Sequence, residues 1–99
     1  MLKVLMAHEV EFVVVGAVAA NLFGSSRFTY DLDIVYNRAD SNLVRLATAL
    51  ENLNPYLRGA PNGLPFKLDL QTLKNGLNFT LTMDLGPLDL FAEIAGAHS

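Results

Sequence analysis

Cysteine is absent from the 99 residues, which excludes disulfides and thiolate metal sites at once. Charge is scarce: Asp, Glu, Lys and Arg make up 17% of the chain, against 52% hydrophobic residues. A disordered chain does not carry that much apolar material. Positive charge is scarcer still. Seven Lys and Arg against ten Asp and Glu leave a net charge of −3, without the concentrated basic face that duplex DNA demands. Long apolar runs are missing too. Glu9, Glu11, Asp31 and similar charges interrupt every stretch before it reaches the roughly 18 residues of a membrane span. The opening MLKVLMAHEVEF lacks the apolar segment and small-residue cleavage site of a secretory leader. These absences lead us to expect one domain over residues 1–99, small for a single core. Lack of cysteine fits a cytoplasmic setting.

What is present is strong hydrophobic patterning. Leu2, Leu5 and Met6 predict a short helix over 2–8, and EFVVVG (11–16) reads as a buried strand. The alanine-rich AVAANLF (17–23) predicts a helix that Gly24 would stop. YDLDIVY (30–36) alternates, with Leu32 and Ile34 on one face and Asp31, Asp33 and Val35 on the other. ADSNLVRLATALENL (39–53) is the clearest helix, with Asp40 or Ser41 as N-cap and Leu43, Leu46, Ala47, Leu50 and Leu53 as its apolar stripe. Residues 54–66 are rich in proline and glycine and predict an irregular loop. A short helix follows over 68–76, capped by Asp69 and ended by Gly76, then a hairpin of strands at 77–84 and 88–94. The expected fold is α/β in the α+β sense: a mixed sheet of about four strands with helices packed on it.

Asp31 and Asp33 are the residues that need a reason. Two apart on a strand, they project from one face about 7 Å apart at the backbone. Together they can hold one hard cation; alone they repel, and one pKa rises. Magnesium, or manganese, suits carboxylates shared with substrate phosphates. The alternative is a half-exposed strand whose aspartates face water. A strand, Gly16 and Ala17, and then a helix N-terminus would offer backbone N–H groups to a phosphate, and GSSRFT adds the hydroxyls of Ser25 and Ser26 and the Arg27 guanidinium. Tyr56, Arg58 and Phe66 could serve a base or an acceptor, or merely connect two elements. His8 and His98 have no partner at ligand spacing.

Taken together, VVVGAVAANLFGSSRFTYDLDIVY resembles the signature of the nucleotidyltransferase fold superfamily, an apolar strand, a small-residue turn, a short helix and Asp-x-Asp on the next strand. RFTYDLD looks like the bacterial branch that includes abortive-infection and toxin–antitoxin nucleotidyltransferases. The resemblance covers 11–36 and extends more loosely to about 96. It implies that Asp31 and Asp33 bind metal and that a third carboxylate joins them from a later strand. Asp89 is the best match, with Asp84 and Glu93 as alternatives. Gly16 and Ala17 match the phosphate-binding turn, although the family has glycine or serine where this chain has Ala17. The implied activity is magnesium-dependent transfer of a nucleoside monophosphate from a triphosphate to a protein or RNA acceptor. The alternative is a degenerate or truncated relative acting as a binding or regulatory module. Relatives continue past the LDLFAEI strand with further helices, so Phe91, on the face of Asp89, should lack cover and favour a homodimer.

Overall fold

The structure is a computed structural model that describes residues 1–21 and 28–93, the side chains of 20, 21 and 28–30 excepted. Its elements in chain order are α1 (Leu2–Ala7), β1 (Phe12–Asn21), β2 (Phe28–Tyr36), α2 (Asp40–Leu50), β3 (Tyr56–Leu57), α3 (Leu70–Asn75), β4 (Asn78–Thr82) and β5 (Leu88–Ala92), with a 3-10 turn at Glu51–Leu53 after α2. The strands form one mixed five-stranded sheet in the order β1-β2-β5-β4-β3. Only β2 and β5 run parallel; the other neighbours are antiparallel. The class is α+β, with one strand more than the sequence suggests. The extra strand is the two-residue β3, inside the stretch expected to be irregular.

Alternation decides which face is covered. Leu32, Ile34 and Tyr36 of β2, Leu88 and Leu90 of β5, and Phe79 and Leu81 of β4 are buried, with Leu5 of α1, Leu43, Leu46 and Leu50 of α2 and Leu73 of α3. All three helices therefore lie on one side of the sheet. The intervening residues, Asp31, Asp33, Val35, Asp89, Thr80 and Phe91, point to the other side. Phe91 is exposed there, as expected of an uncovered face. Among the described residues no helix is long and apolar enough to cross a membrane.

The main correction concerns residues 17–21. They continue β1, where helical propensity favours a helix. Ala17–Asn21 pairs antiparallel with Leu32 through Phe28, so their backbone groups are satisfied by a ladder and the alanine preference is overridden by tertiary pairing. Gly16 is accordingly inside a strand, at an irregularity in register between Val14 and Gly16, and not at a strand-to-helix turn. The rest of that expected helix and its Gly24 stop lie outside the described residues, as do Ser25, Ser26, Arg27 and His98. The cap of α2 is also corrected: Ala39, with no side-chain cap bond, takes the N-cap position, and Asp40 falls in the first turn, where it faces Lys74 at 3.4 Å. Asp69 does cap α3, accepting from the Thr72 N–H. That bond holds its carboxyl below the ordinary value.

Asn42 stands out as the one buried polar side chain among the described residues. Its Oδ1 accepts the Glu11 N–H at 2.6 Å, and its Nδ2 donates to the carbonyls of Glu11 (3.0 Å) and Asn37 (2.8 Å). One amide thus ties the start of β1 and the end of β2 to α2. Tyr36 is the opposite case. It is fully buried, and its hydroxyl finds no partner among the described residues; burial pushes its pKa up. Two substitutions should therefore move stability in opposite directions. Asn42→Ala strips partners from three backbone groups and should cost about 3 kcal/mol, whereas Tyr36→Phe should gain about 1 kcal/mol. Denaturant unfolding midpoints check both, and a destabilised Tyr36→Phe would mean that the hydroxyl is in fact bonded.

Candidate metal centre

The register of the parallel pair builds the site. Asp33 of β2 stands directly beside Asp89 of β5, and Asp31 lies two residues back on the same face. One carboxylate oxygen from each of the three lies within 4.8 Å of the others. Flanking Leu32, Ile34, Leu88 and Leu90 are buried on the opposite face, so core packing forces the aspartates together. Asp89 is the third carboxylate of the group. Asp84 instead accepts a hydrogen bond from Asn54 Nδ2 at 2.8 Å, while its N–H donates to the Leu53 carbonyl; it secures the end of the 3-10 turn. Glu93 is exposed beyond β5, its N–H donating to the Tyr36 carbonyl. His8 turns back on its own helix to the Val4 carbonyl.

The electrostatics are those of crowded carboxylates. The Asp33 pKa is raised, first by partial removal from water, then by the Asp89 charge and a hydrogen bond with the Asp89 carboxyl, and further by Asp31. Arg58 opposes this rise. Asp31 Oδ1 is inaccessible to solvent and has no partner among the described residues. An all-oxygen donor set with an unspent buried oxygen fits a hard divalent cation such as magnesium or manganese, which Asp31, Asp33 and Asp89 could hold together.

Gly16 contributes space. A Cβ at that position would lie 2.7 Å from Asp33 Oδ2, well inside contact distance. The bare backbone of β1 is what lets the Asp33 carboxylate lie against the neighbouring strand. This role differs from a phosphate-binding turn, and the sequence signal for it is simply a glycine in the strand next to Asp-x-Asp. Ala17 pairs with Leu32, on the face opposite the aspartates, and is exposed there.

Arg58 is the functional candidate that sequence reasoning placed only in a loop. Its N–H donates to the Thr80 carbonyl, one step beyond the Leu57–Leu81 pair, so it continues the β3–β4 ladder. Thr80 in turn pairs with Asp89. Gly16, Asp33, Asp89, Thr80 and Arg58 thus form one row across five strands. The guanidinium Nη2 reaches over Thr80 to Asp89 Oδ1 at 2.9 Å and donates to the Leu81 carbonyl at 2.7 Å. Tyr56 and Phe66 meet edge to face, and the Tyr56 hydroxyl bonds to Pro61 and Leu64; these rings hold the 58–66 loop together. A cleft of about 620 Å³ lies between α2 and residues 66–70, and none of the three aspartates lines it.

No family model, curated protein or solved structure matches the chain.

Two variants test the site. A raised pKa means that the protonated Asp33 favours the fold, and that this contribution is lost as pH rises through the raised value. Asp33→Asn should therefore raise the metal-free melting temperature near pH 7 and abolish any further rise with Mn2+. Gly16→Ala should fold but lose part of the Mn2+ response, because its methyl displaces Asp33 Oδ2. Thermal melts with and without Mn2+ read both, and identical metal responses in wild type and variants would refute the site.

Proposed function

We propose that the chain is a magnesium-dependent nucleotidyltransferase domain that binds a nucleoside triphosphate and passes its nucleoside monophosphate to a protein or RNA hydroxyl. The observation that carries this reading is the carboxylate trio, Asp31, Asp33 and Asp89, set on adjacent strands with oxygens within 4.8 Å of one another. When bound, a divalent ion supplies charge neutralisation for the phosphates and lowers the pKa of the attacking hydroxyl. The carboxylates hold that charge in place, and Asp89 is suited to take the proton of the acceptor hydroxyl. The acceptor oxygen then bonds to the α-phosphorus, the bond to the β-phosphate breaks, and pyrophosphate leaves in line. Such chemistry draws on cytoplasmic triphosphates, and the resemblance to toxin-type bacterial relatives points to a role in a toxin–antitoxin pair.

A second reading has its own observation. Gly16 and Ala17 lie inside β1, so the described residues offer no helix N-terminus for the triphosphate where the resemblance implies one. This favours a binding or regulatory module that keeps the metal site without transferring a nucleotide. Calorimetric titration with magnesium and each of the four ribonucleoside triphosphates, followed by a transfer assay with α-labelled nucleotide, separates the two. The first reading expects tight binding of one triphosphate and label on an acceptor. Binding without label selects the second, and no binding at all removes both.

A second copy of the chain is the partner this reading carries. Val13, Val35 and Phe91 form a cross-strand row on the uncovered face, with Val13 63% exposed. β1 is an uncharged edge strand, FVVVGAVAAN, which nothing electrostatic keeps from meeting its own copy. Sedimentation velocity at micromolar concentration should show a dimer; a clean monomer rejects it.

A further inference from the structure

Arg58, paired with Asp89, is the one cation that forms an ion pair with any of the three aspartates among the described residues; the other ion pair joins Lys74 to Asp40. The way it is held is uneven. Its backbone is fixed by the bond to Thr80, and Nη2 is spent on Leu81 and Asp89. Nε and Nη1, with three N–H donors in a planar fork, have no partner among the described residues. The Leu81 bond is to a backbone carbonyl within the sheet and involves no atom of Asp89. The Asp89 contact is solvent-facing, the two side chains being 37% and 24% exposed, and exposed ion pairs are weak and exchange readily.

Charge counting says what such an arm is for. Three carboxylates and one guanidinium sum to −2, which one divalent ion balances. A hard cation on Asp89 removes the need for Arg58 there. A triphosphate arriving with that cation then brings new negative charge beside a guanidinium with unused donors, and phosphate is the group a planar fork binds best.

We propose that Arg58 is the anion-binding arm of the carboxylate site: it balances Asp89 in the metal-free protein and turns to a phosphate of the metal-bound triphosphate when the cation takes that carboxylate, pivoting on Leu81. The inference rests on the metal and triphosphate reading above. It makes Arg58 a positioning residue with two opposed effects. As a competing positive charge it weakens binding of the bare cation; as a phosphate ligand it strengthens binding of the cation–triphosphate complex. A residue that merely supported Asp89 would have the same sign in both.

The experiment measures Mn2+ affinity of the full chain from the electron paramagnetic resonance of free Mn2+, and then affinity for the equimolar Mn2+ complex of inorganic triphosphate by calorimetry. Inorganic triphosphate isolates the phosphate contact from any recognition of a base. Arg58→Gln should bind Mn2+ alone about threefold more tightly and the triphosphate complex about tenfold more weakly. Arg58→Lys, which keeps the charge and loses the fork, should leave Mn2+ affinity at the wild-type value and still lose most of the triphosphate affinity. Parallel weakening of both ligands in Arg58→Gln, or no change in either, overturns the proposal while leaving the metal site standing. Should Arg58→Gln lose its cooperative melt, Arg58→Lys decides: wild-type triphosphate affinity in that variant overturns the arm. Absence of Mn2+ binding in wild type and both variants overturns the metal reading itself, a distinct result.

Discussion

The pairing of β2 with β5 is the constraint on which the rest of the molecule depends. Among the described residues it is the only parallel contact in the sheet, and it lies at the centre of the strand order. Its register places Leu32 beside Leu88 and Ile34 beside Leu90, all buried, and therefore places Asp33 beside Asp89 on the reverse face. A slip of one residue would turn every one of these side chains over. The core therefore pays for the site: the aliphatic packing that holds the register also holds two carboxylates closer than they would choose to stand.

The molecule tolerates that crowding through neighbours on the same row. Gly16 leaves room on one side for Asp33 Oδ2. Arg58 supplies a counter-charge on the other, reaching across Thr80, whose small side chain leaves the path open. Neither cancels the penalty, since the Asp33 pKa stays raised and Asp31 Oδ1 stays unpartnered. Polar groups left in this condition stand out against Asn42, where one buried amide meets three backbone partners. Asn42 is satisfied within the fold, whereas Asp31 Oδ1 has no partner among the described residues, on the face where the three carboxylates meet.

Much of this was legible in the sequence because alternation is local. Leu32 and Ile34 against Asp31 and Asp33 identified both the strand and its two faces, while Asp89 came forward through the family resemblance. The stripe of α2 and the Asp69 cap of α3 were readable for the same reason. Residues 17–21 were not. Alanine favours a helix in isolation, and only pairing with Phe28–Leu32 makes them strand. Arg58 was legible as a candidate contact for a base or an acceptor, but its place beside Asp89 was not: that depends on a two-residue strand, Tyr56–Leu57, too short to leave a pattern. The role of Asn42 was not legible either, since nothing in a sequence says which strand ends will meet an amide.

The uncovered face gains its meaning from what it mixes. An open sheet face that served only as a solvated surface would carry polar groups throughout, and one that served only as an interface would be depleted of charge at its centre. Here an apolar row, Val13, Val35 and Phe91, runs beside the row of Gly16, Asp33, Asp89, Thr80 and Arg58. The apolar row sits next to the carboxylates on the same three strands, so a partner covering it would also form a wall of the site and lower the local dielectric. Lower dielectric sharpens the repulsion among the carboxylates and raises the gain from a cation. A cation in the site would relieve that repulsion, so covering the face and filling the site would favour one another through the parallel register that sets both rows in place.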